Sequence, residues 1–179
     1  MKTISSGRKI KRIISWFLVF LLAPFLLFGA EYSGKVVSVI DGDTIHVLFD
    51  TSVPSAKLYK DGTVSVRLRG IDAPEKDQPF GKESGDMLAS MVQGKMVSVK
   101  AMDIDRYGRL TGYVFCGGKN INLEQVKAGM AWSYKKYLDR PYVSEFYDFE
   151  QIARKSRLGL WQQNNPIPPW EWRKSTRTD

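Results

Sequence analysis

The sequence is poor in two residue types that build many functional sites. Among its 179 residues it has one cysteine, Cys116, and one histidine, His46. A single cysteine excludes an intramolecular disulfide framework, and one residue of each type cannot assemble a Cys/His zinc site. Histidine-rich metal centres are excluded for the same reason, and nothing in the composition favours a Ser-His-Asp triad.

Acidic residues are absent from the N-terminus. Residues 1–30 contain five of the 27 basic residues and none of the 19 acidic ones, so the rest of the chain has a net charge of +3 rather than the +8 of the whole. The hydrophobic share of 43% and the charged share of 26% are those of a globular protein. Bulk charge is therefore weak evidence for a polyanionic partner.

The basic N-terminus is followed by an uncharged apolar run, residues 13–30. This order is typical of a secretory signal peptide, although the run is also long enough to span a bilayer as a retained anchor. Ala30 suits the position before a cleavage site, whereas Phe28 is bulky for the small-x-small pattern. We favour cleavage near Ala30 over an uncleaved anchor. Either way, we expect the following domain to be exported: secreted, periplasmic or anchored by residues 13–30.

Alternating and helical periodicities share the remaining chain. Period-two runs and turn residues predict five strands: 35–40, 44–49, 63–69, 95–100 and 110–116. Apolar stripes predict three helices: 81–93, 121–131 and 144–158. In the last of these, the stripe consists of Phe146, Phe149, Ile152 and Ala153. Together they indicate one small α+β domain, residues 31–162, built on a closed or nearly closed barrel. Residues 163–179 form a Pro/Trp-rich tail that we expect not to be helical.

Charged residues cluster in three short segments: 40–44, 67–75 and 105–109. Each alone is weak evidence of function, because Asp-Gly turns and charged strand ends are common. Together they supply acids and arginines without histidine. Asp43 and Asp72 lie at strand ends, and Glu75 follows a proline. With Arg67 and Arg109, they suit a hard cation that holds a phosphodiester while guanidinium groups neutralise its developing charge.

The same segments resemble the staphylococcal-type thermonuclease (micrococcal nuclease) family. The matching motifs, in order, are Val-Ile-Asp-Gly-Asp-Thr, Arg-Leu-Arg-Gly-Ile-Asp-Ala-Pro-Glu, Tyr-Gly-Arg and Gly-Leu-Trp, and the similarity runs from Gly34 to Trp161. The resemblance implies an OB-fold, a five-stranded β-barrel with three α-helices. It also implies calcium dependence and hydrolysis of DNA and RNA to 3′-phosphate products. We expect the protein to be a monomer.

The resemblance also implies roles for individual residues. Asp43 and Asp72 match the calcium carboxylates, and Ala73 stands where a family threonine supplies a backbone carbonyl to the metal. Glu75 matches the general base. Two further positions match the pair that grips the scissile phosphate: Arg67 and Arg109. The alternative for this pair is that both are surface arginines paired with nearby acids such as Asp103 or Asp105.

Aromatic residues between lysines form a second candidate surface. Tyr134, Lys135 and Tyr137, together with Tyr107, are candidate nucleic-acid contacts, because tyrosines stack on bases while lysines meet phosphates. The alternative is that the lysines only solvate a loop. For Trp132 we favour a place in the core.

Two other classes of protein compete with a nuclease. One is a non-catalytic OB-fold module that binds nucleic acid, and the other is a surface-interaction protein anchored by its Trp/Pro tail. A binder could lose the acids and keep only basic and aromatic residues. The presence of all five charged residues together therefore favours the enzyme.

Overall fold

The computed structural model describes residues 29–176, so nearly all of the predicted signal peptide or anchor lies outside the described residues. Within this range, no helix is long and apolar enough to cross a membrane. The strands are β1 (Glu31–Asp41), β2 (Thr44–Phe49), β3 (Val64–Leu68), β4 (Ile71–Asp72), β5 (Met96–Ile104), β6 (Leu110–Cys116), β7 (Lys119–Asn120) and β8 (Trp132–Ser133). The helices are α1 (Gly81–Val92), α2 (Ile121–Lys127), α3 (Tyr142–Lys155) and α4 (Pro169–Ser175).

Five strands close into the predicted barrel. Their order is β3-β2-β1-β5-β6, and a parallel pairing of β3 with β6 completes the ring. In this seam Arg67 lies opposite Thr111. Register shifts in β1 mark bulges, which bend a strand as barrel closure requires. The OB-fold expectation is thus confirmed, with four α-helices among residues 29–176 where three were expected.

The predicted helix ends need correction. The second helix stops at Lys127 rather than at residue 131, because Gly129 has a positive φ of 67° and packs against the backbone after α3. The third begins at Tyr142 and ends at Lys155 rather than at residue 158. In contrast, α1 ends just before Gly94, whose φ of 72° suits the predicted glycine stop.

One residue of the predicted apolar stripe on α3 faces water. Phe146 and Ala153 are fully buried, but Ile152 is 54% exposed. The buried face runs through Phe146, Glu150 and Ala153, so Ile152 lies to one side of it. Glu150 enters this face because it accepts hydrogen bonds from Ser133 and Arg154.

The C-terminal tail contradicts the expectation of a non-helical segment. Pro169 occupies the first position of α4, where a proline has the right φ and its missing N–H is not needed. The proline-rich composition therefore marks a helix start here. Trp170 packs edge-on against the buried Trp132, at 6.4 Å between ring centroids, which also confirms the core position of Trp132.

An ion pair ties the loop before α3 to the barrel. Arg69 donates two hydrogen bonds to Asp139, at 2.5 and 3.1 Å, and the Tyr113 hydroxyl donates a third at 3.1 Å. The hydrogen bonds from Arg69 lower the pKa of Asp139, although partial burial opposes them. A carboxyl with a lowered pKa stabilises the fold above its unfolded pKa and loses that contribution as pH falls through its folded pKa.

Asp139→Asn is therefore expected to lower the free energy of unfolding by about 1–2 kcal/mol at pH 7. The difference from the wild type should shrink as pH falls below about 4, the ordinary carboxyl pKa. Urea denaturation between pH 7 and pH 3 measures both effects. Asp86→Asn, which removes only an exposed helix-surface pair with Lys82, should match the wild type. If the free energy of unfolding of Asp139→Asn were lower than that of the wild type by the same amount at every pH, the stabilising role of the charged Asp139 would be contradicted.

Candidate active site

A cavity of about 600 Å³ forms where residues 41–44, 67–75 and 103–111 come together. It is lined by all the residues predicted for catalytic and metal roles: Asp43, Arg67, Asp72, Ala73, Glu75 and Arg109. It is also lined by three of the four predicted nucleic-acid contacts: Tyr107, Tyr134 and Tyr137. Lys135 does not line it.

The turn between β1 and β2 fixes the Asp43 carboxylate. Gly42 makes this turn possible, because a Cβ there would lie 1.8 Å from the Ser84 Oγ on α1. The Asp43 N–H donates to Asp41 Oδ1 at 3.1 Å, and Asp43 Oδ2 accepts a hydrogen bond from the Ala73 N–H at 2.7 Å. The side chain is therefore oriented by the turn itself and by the segment after β4.

A guanidinium group links the two aspartates. Asp72 lies in β4, which pairs with β8, and it is fully buried. Arg67 forms an ion pair with Asp43 through Nη1 and donates from Nη2 to Asp72 Oδ1 at 2.8 Å. The two carboxylates thus lie at neighbouring nitrogens of one planar group.

Burial dominates the electrostatics of both aspartates. It raises the pKa of Asp43 to about 6, with a further rise from Asp41, although Arg67 opposes the shift. Burial also raises the pKa of Asp72, against hydrogen bonds and charges that lower it. Two desolvated carboxylates side by side are stable as anions only with positive charge next to them.

The donor set at this point fits a hard cation. It offers the carboxylate oxygens of Asp43 and Asp72, and the backbone of Ala73 lies next to Asp43. Among residues 29–176 no group of three or more His, Cys, Asp or Glu side chains is placed to hold a metal ion, so protein side chains supply only part of a coordination shell. Calcium tolerates such a partial set, because carbonyl, water and phosphate oxygens complete its shell.

Glu75 lies in a tight turn before α1. Its N–H donates to Gln78 Oε1 at 3.1 Å, and a Cβ on Gly81 would lie 1.9 Å from its carbonyl oxygen. The glycine therefore lets the start of α1 close against the backbone of Glu75. The Glu75 side chain is 36% exposed, so water can reach its carboxylate.

Arg109 has a different setting from Arg67. Asp105 Oδ1 accepts from the backbone N–H groups of Tyr107 and Arg109, at 2.9 and 3.0 Å, and Oδ2 accepts from Arg109 Nε at 2.7 Å. The alternative of pairing with a nearby acid therefore describes this contact of Arg109. It does not describe Arg67, whose partners are Asp43 and Asp72. The Nε edge of Arg109 is engaged by Asp105, and its guanidinium lies 5.4 Å from the Tyr107 ring centroid.

A further arginine of the site, Arg173, comes from α4 and was not predicted from the sequence. Its Nη2 donates to Asp72 Oδ2 at 2.8 Å, and its Nη1 donates to Glu75 Oε1 at 2.5 Å. Burial would lower the pKa of Arg173, but the hydrogen bonds to Asp72 and Glu75 outweigh it and raise that pKa. The signal for this residue was the proline at the helix start, which places Trp170 and Arg173 on one face at i, i+3 spacing.

The candidate nucleic-acid contacts have unequal settings. Tyr107 and Tyr137 are 58% and 43% exposed, so their rings are open to a ligand. The ring of Tyr134 already stacks on Trp170, at 5.2 Å between centroids and 7° between planes. Lys135 is exposed, with its Nζ 4.3 Å from the centroid of the Tyr147 ring.

Comparisons with known proteins identify the family of this chain. The model of the staphylococcal nuclease homologue family matches residues 65–163. A micrococcal nuclease from Shigella flexneri is 39% identical over 157 residues, which cover 83% of this chain and 84% of that protein. An uncharacterized endonuclease from Escherichia coli O157:H7 is 40% identical over 157 residues, 87% and 94% of the two chains. A staphylococcal-like nuclease from Arabidopsis thaliana is 46% identical over 112 residues, 63% of this chain and 34% of that protein. The chain therefore belongs to the staphylococcal nuclease family.

Proposed function

We propose that this nuclease uses calcium to hydrolyse the phosphodiester bonds of DNA and RNA and leaves 3′-phosphate products. The observation that carries the proposal is that one cavity holds the buried carboxylates of Asp43 and Asp72, the partly exposed Glu75 and several arginines, Arg67 and Arg109 among them. A module that only binds nucleic acid would be weakened by these acids, which repel phosphate. The acids therefore favour an enzyme.

In this proposal Asp43 and Asp72 hold the calcium, together with the backbone carbonyl of Ala73. A bound calcium would neutralise negative charge on the phosphate oxygens. The hydrogen bond from the Ala73 N–H to Asp43 keeps the three groups in one arrangement. The protein thereby fixes the ligand positions before the substrate arrives.

Arg67 and Arg109 would bind the non-bridging oxygens of the scissile phosphate. Negative charge on these oxygens grows as water attacks, so a fixed guanidinium stabilises the transition state more than the ground state. Arg109 is oriented by Asp105 through its Nε, and Arg67 is oriented by the two buried aspartates. Each group is thus held in place by a carboxylate of this chain.

Glu75 would act as the general base. Its side chain combines a carboxylate with access to solvent, and its turn is held by Gln78 and Gly81. A positioned base of this kind removes the proton of the attacking water, an effect of roughly 10²–10⁴ in rate. The rest of the nucleic acid would contact Tyr107, Tyr134, Lys135 and Tyr137. One face of the Tyr134 ring is already covered by its stack on Trp170.

Export completes the proposal, and the mature enzyme would act as a monomer outside the cytoplasm. The apolar run of residues 13–30 supports this location. Strand β1 begins at Glu31, directly after the proposed cleavage site at Ala30, so cleavage there would leave the strand intact. N-terminal sequencing of the protein recovered outside the cytoplasm would test both the location and the cleavage.

Calcium dependence is the direct test of the enzyme. Plasmid DNA and a single-stranded oligonucleotide should be cut with calcium and left intact with EDTA. The chelator can remove the calcium, because the site supplies only two carboxylate side chains to hold it. Asp43→Ala should lower the cleavage rate about a hundredfold or more, since it removes one of two carboxylate ligands. Asp86→Ala, which removes a surface carboxylate of α1, should retain the wild-type rate.

The opposite results are equally clear. Cleavage that continues in EDTA, or a wild-type rate in Asp43→Ala, would contradict the calcium site. Binding of DNA without any cleavage in calcium would favour the non-catalytic module. Product analysis by 3′-end labelling before and after phosphatase treatment tests the position of the phosphate.

A further inference from the structure

The C-terminal segment places a third arginine on the acids that the proposed mechanism needs free. Arg173 donates to Asp72 Oδ2 at 2.8 Å, to Asp72 Oδ1 at 3.2 Å and to Glu75 Oε1 at 2.5 Å. One planar guanidinium thus covers both oxygens of Asp72 and one of Glu75. A calcium ion would need Asp72 oxygens at about 2.3–2.6 Å. Arg67 also donates to Asp72 Oδ1, so a doubly charged cation that arrives at Asp72 would be repelled by both guanidinium groups in this partly buried site.

Contacts that do not involve this arginine hold α4 in place. Trp170 stacks on Tyr134, and the Trp172 Nε1 donates to Asp77 at 3.3 Å. Before the helix, the Ile167 carbonyl accepts a hydrogen bond from Gln78. The partners in these contacts are Tyr134, Asp77 and Gln78, which flank the site. The docked helix therefore positions Arg173 next to Asp72 and Glu75.

The same segment is well suited to detach. The helix α4 has seven residues, and helices of that length are not stable without tertiary contacts. Trp172 and Arg173 are only half-buried. Loss of the ion pairs to Asp72 and Glu75 would therefore weaken the docking of the end of the helix.

We infer that Arg173 is an internal competitor of the cation. It neutralises Asp72 and holds Glu75 until calcium binds to Asp72, and its displacement then frees the Glu75 carboxylate for the attacking water. The inference rests on the proposed function, because it takes Asp43 and Asp72 as calcium ligands. It couples calcium binding to the release of Glu75, so that the Glu75 carboxylate can act as a base only when calcium is bound.

A third phosphate-binding arginine is the competing role for Arg173. In that role the guanidinium would leave the acids for the substrate, and its removal would slow cleavage without changing calcium affinity in the absence of nucleic acid. Competition with calcium predicts a change in affinity when no substrate is present. The two roles are therefore separated by a binding measurement on the protein alone.

The experiment is a calorimetric titration of the full chain with calcium, without nucleic acid. Arg173→Ala should bind calcium roughly five- to a hundredfold more tightly than the wild type, the usual range of coupling between two sites. Arg173→Lys should also bind more tightly, because an ammonium keeps the charge but cannot cover both Asp72 oxygens. Trp170→Ala should show a smaller gain, since it weakens docking without touching the acids. Lys155→Ala, an exposed charge removed from α3, should match the wild type.

Hydrogen exchange supplies a readout of the helix itself. In the docked helix, the Trp172 N–H donates to the Pro168 carbonyl and the Thr176 N–H to the Trp172 carbonyl. Calcium should speed the exchange of these amides in the wild type. In Arg173→Ala they should already exchange fast, with little further effect of calcium.

Each contrary result has a distinct meaning. Unchanged or weaker calcium binding in Arg173→Ala would overturn the inference, and a gain absent from Arg173→Lys would reduce the effect to net charge and overturn it too. Amides of α4 that exchange more slowly in calcium would also overturn it. If no variant binds calcium, the proposed function fails with it. Normal calcium affinity with slow cleavage in Arg173→Ala would leave the proposed function intact and make Arg173 a phosphate ligand.

Discussion

The turnover number of Glu75→Gln is expected to be roughly two to four orders of magnitude lower than that of the wild type. Glutamine keeps the size of the side chain but cannot take a proton from the attacking water. The Michaelis constant for DNA should change little, because Arg67 and Arg109 hold the substrate phosphate in the proposed mechanism. Initial rates on a labelled oligonucleotide at fixed calcium give both constants.

A matched control separates this effect from a change of charge. Glu83→Gln alters an exposed glutamate in the first turn of α1 and should keep the wild-type rate. Because Glu75 also accepts a hydrogen bond from Arg173, thermal unfolding of both variants must show that the fold is retained. A Glu75→Gln enzyme with a near-normal rate and an unchanged pH profile would refute the role of general base.

Arg67→Lys and Arg109→Lys are each expected to lower the turnover number by roughly 10²–10³. Lysine keeps the positive charge but loses the planar pair of donors that matches a phosphate. Arg67 has a second reason to be sensitive, since its two terminal nitrogens contact Asp43 and Asp72 at the same time. The rates are compared at saturating DNA and calcium, so that weaker binding does not imitate slower chemistry.

Lys135→Ala provides the contrast. This exposed lysine lies outside the cavity and would contact a phosphate away from the scissile bond. Its loss should therefore weaken binding, and the slope of log K against log salt should fall by about one unit. Its turnover number should stay near that of the wild type. Near-normal turnover in both arginine variants would mean that other residues grip the scissile phosphate.

Local chemistry made part of the site predictable from the sequence. An Asp-Gly-Asp turn between two alternating runs and a proline before Glu75 have strong conformational rules. The places of Asp43 and Asp72 at strand ends, and of Glu75 after the proline, therefore followed from short segments. The structure brings these acids into one cavity with Arg67 and Arg109. The five main strands were predictable for the same reason, and the limits of β2 and β6 agree with the prediction.

Tertiary contacts decided what the sequence did not reveal. The end of α2 depends on the contact of Gly129 with the chain after α3, and the direction of Ile152 depends on which face of α3 meets the barrel. The helix α4 forms around a proline whose role differs between a helix start and a helix interior. Arg173 acquires its partners only through docking across about a hundred residues of chain, as its sequence separation of 101 from Asp72 shows.

Cleavage of nucleic acid should depend on formation of the parallel seam between β3 and β6, so activity can be used to follow folding. Arg67 lies in β3, and Arg109 directly precedes β6. The two guanidinium groups therefore line the same cavity only when the seam has formed. Pairing between strands so far apart in the chain is slow compared with hairpin formation. If Arg67 and Arg109 act as proposed, a newly made chain that has formed its hairpins but not this seam would contain every proposed active-site residue and still be unable to cut. Recovery of activity during refolding should therefore follow the slowest structural probe of the barrel.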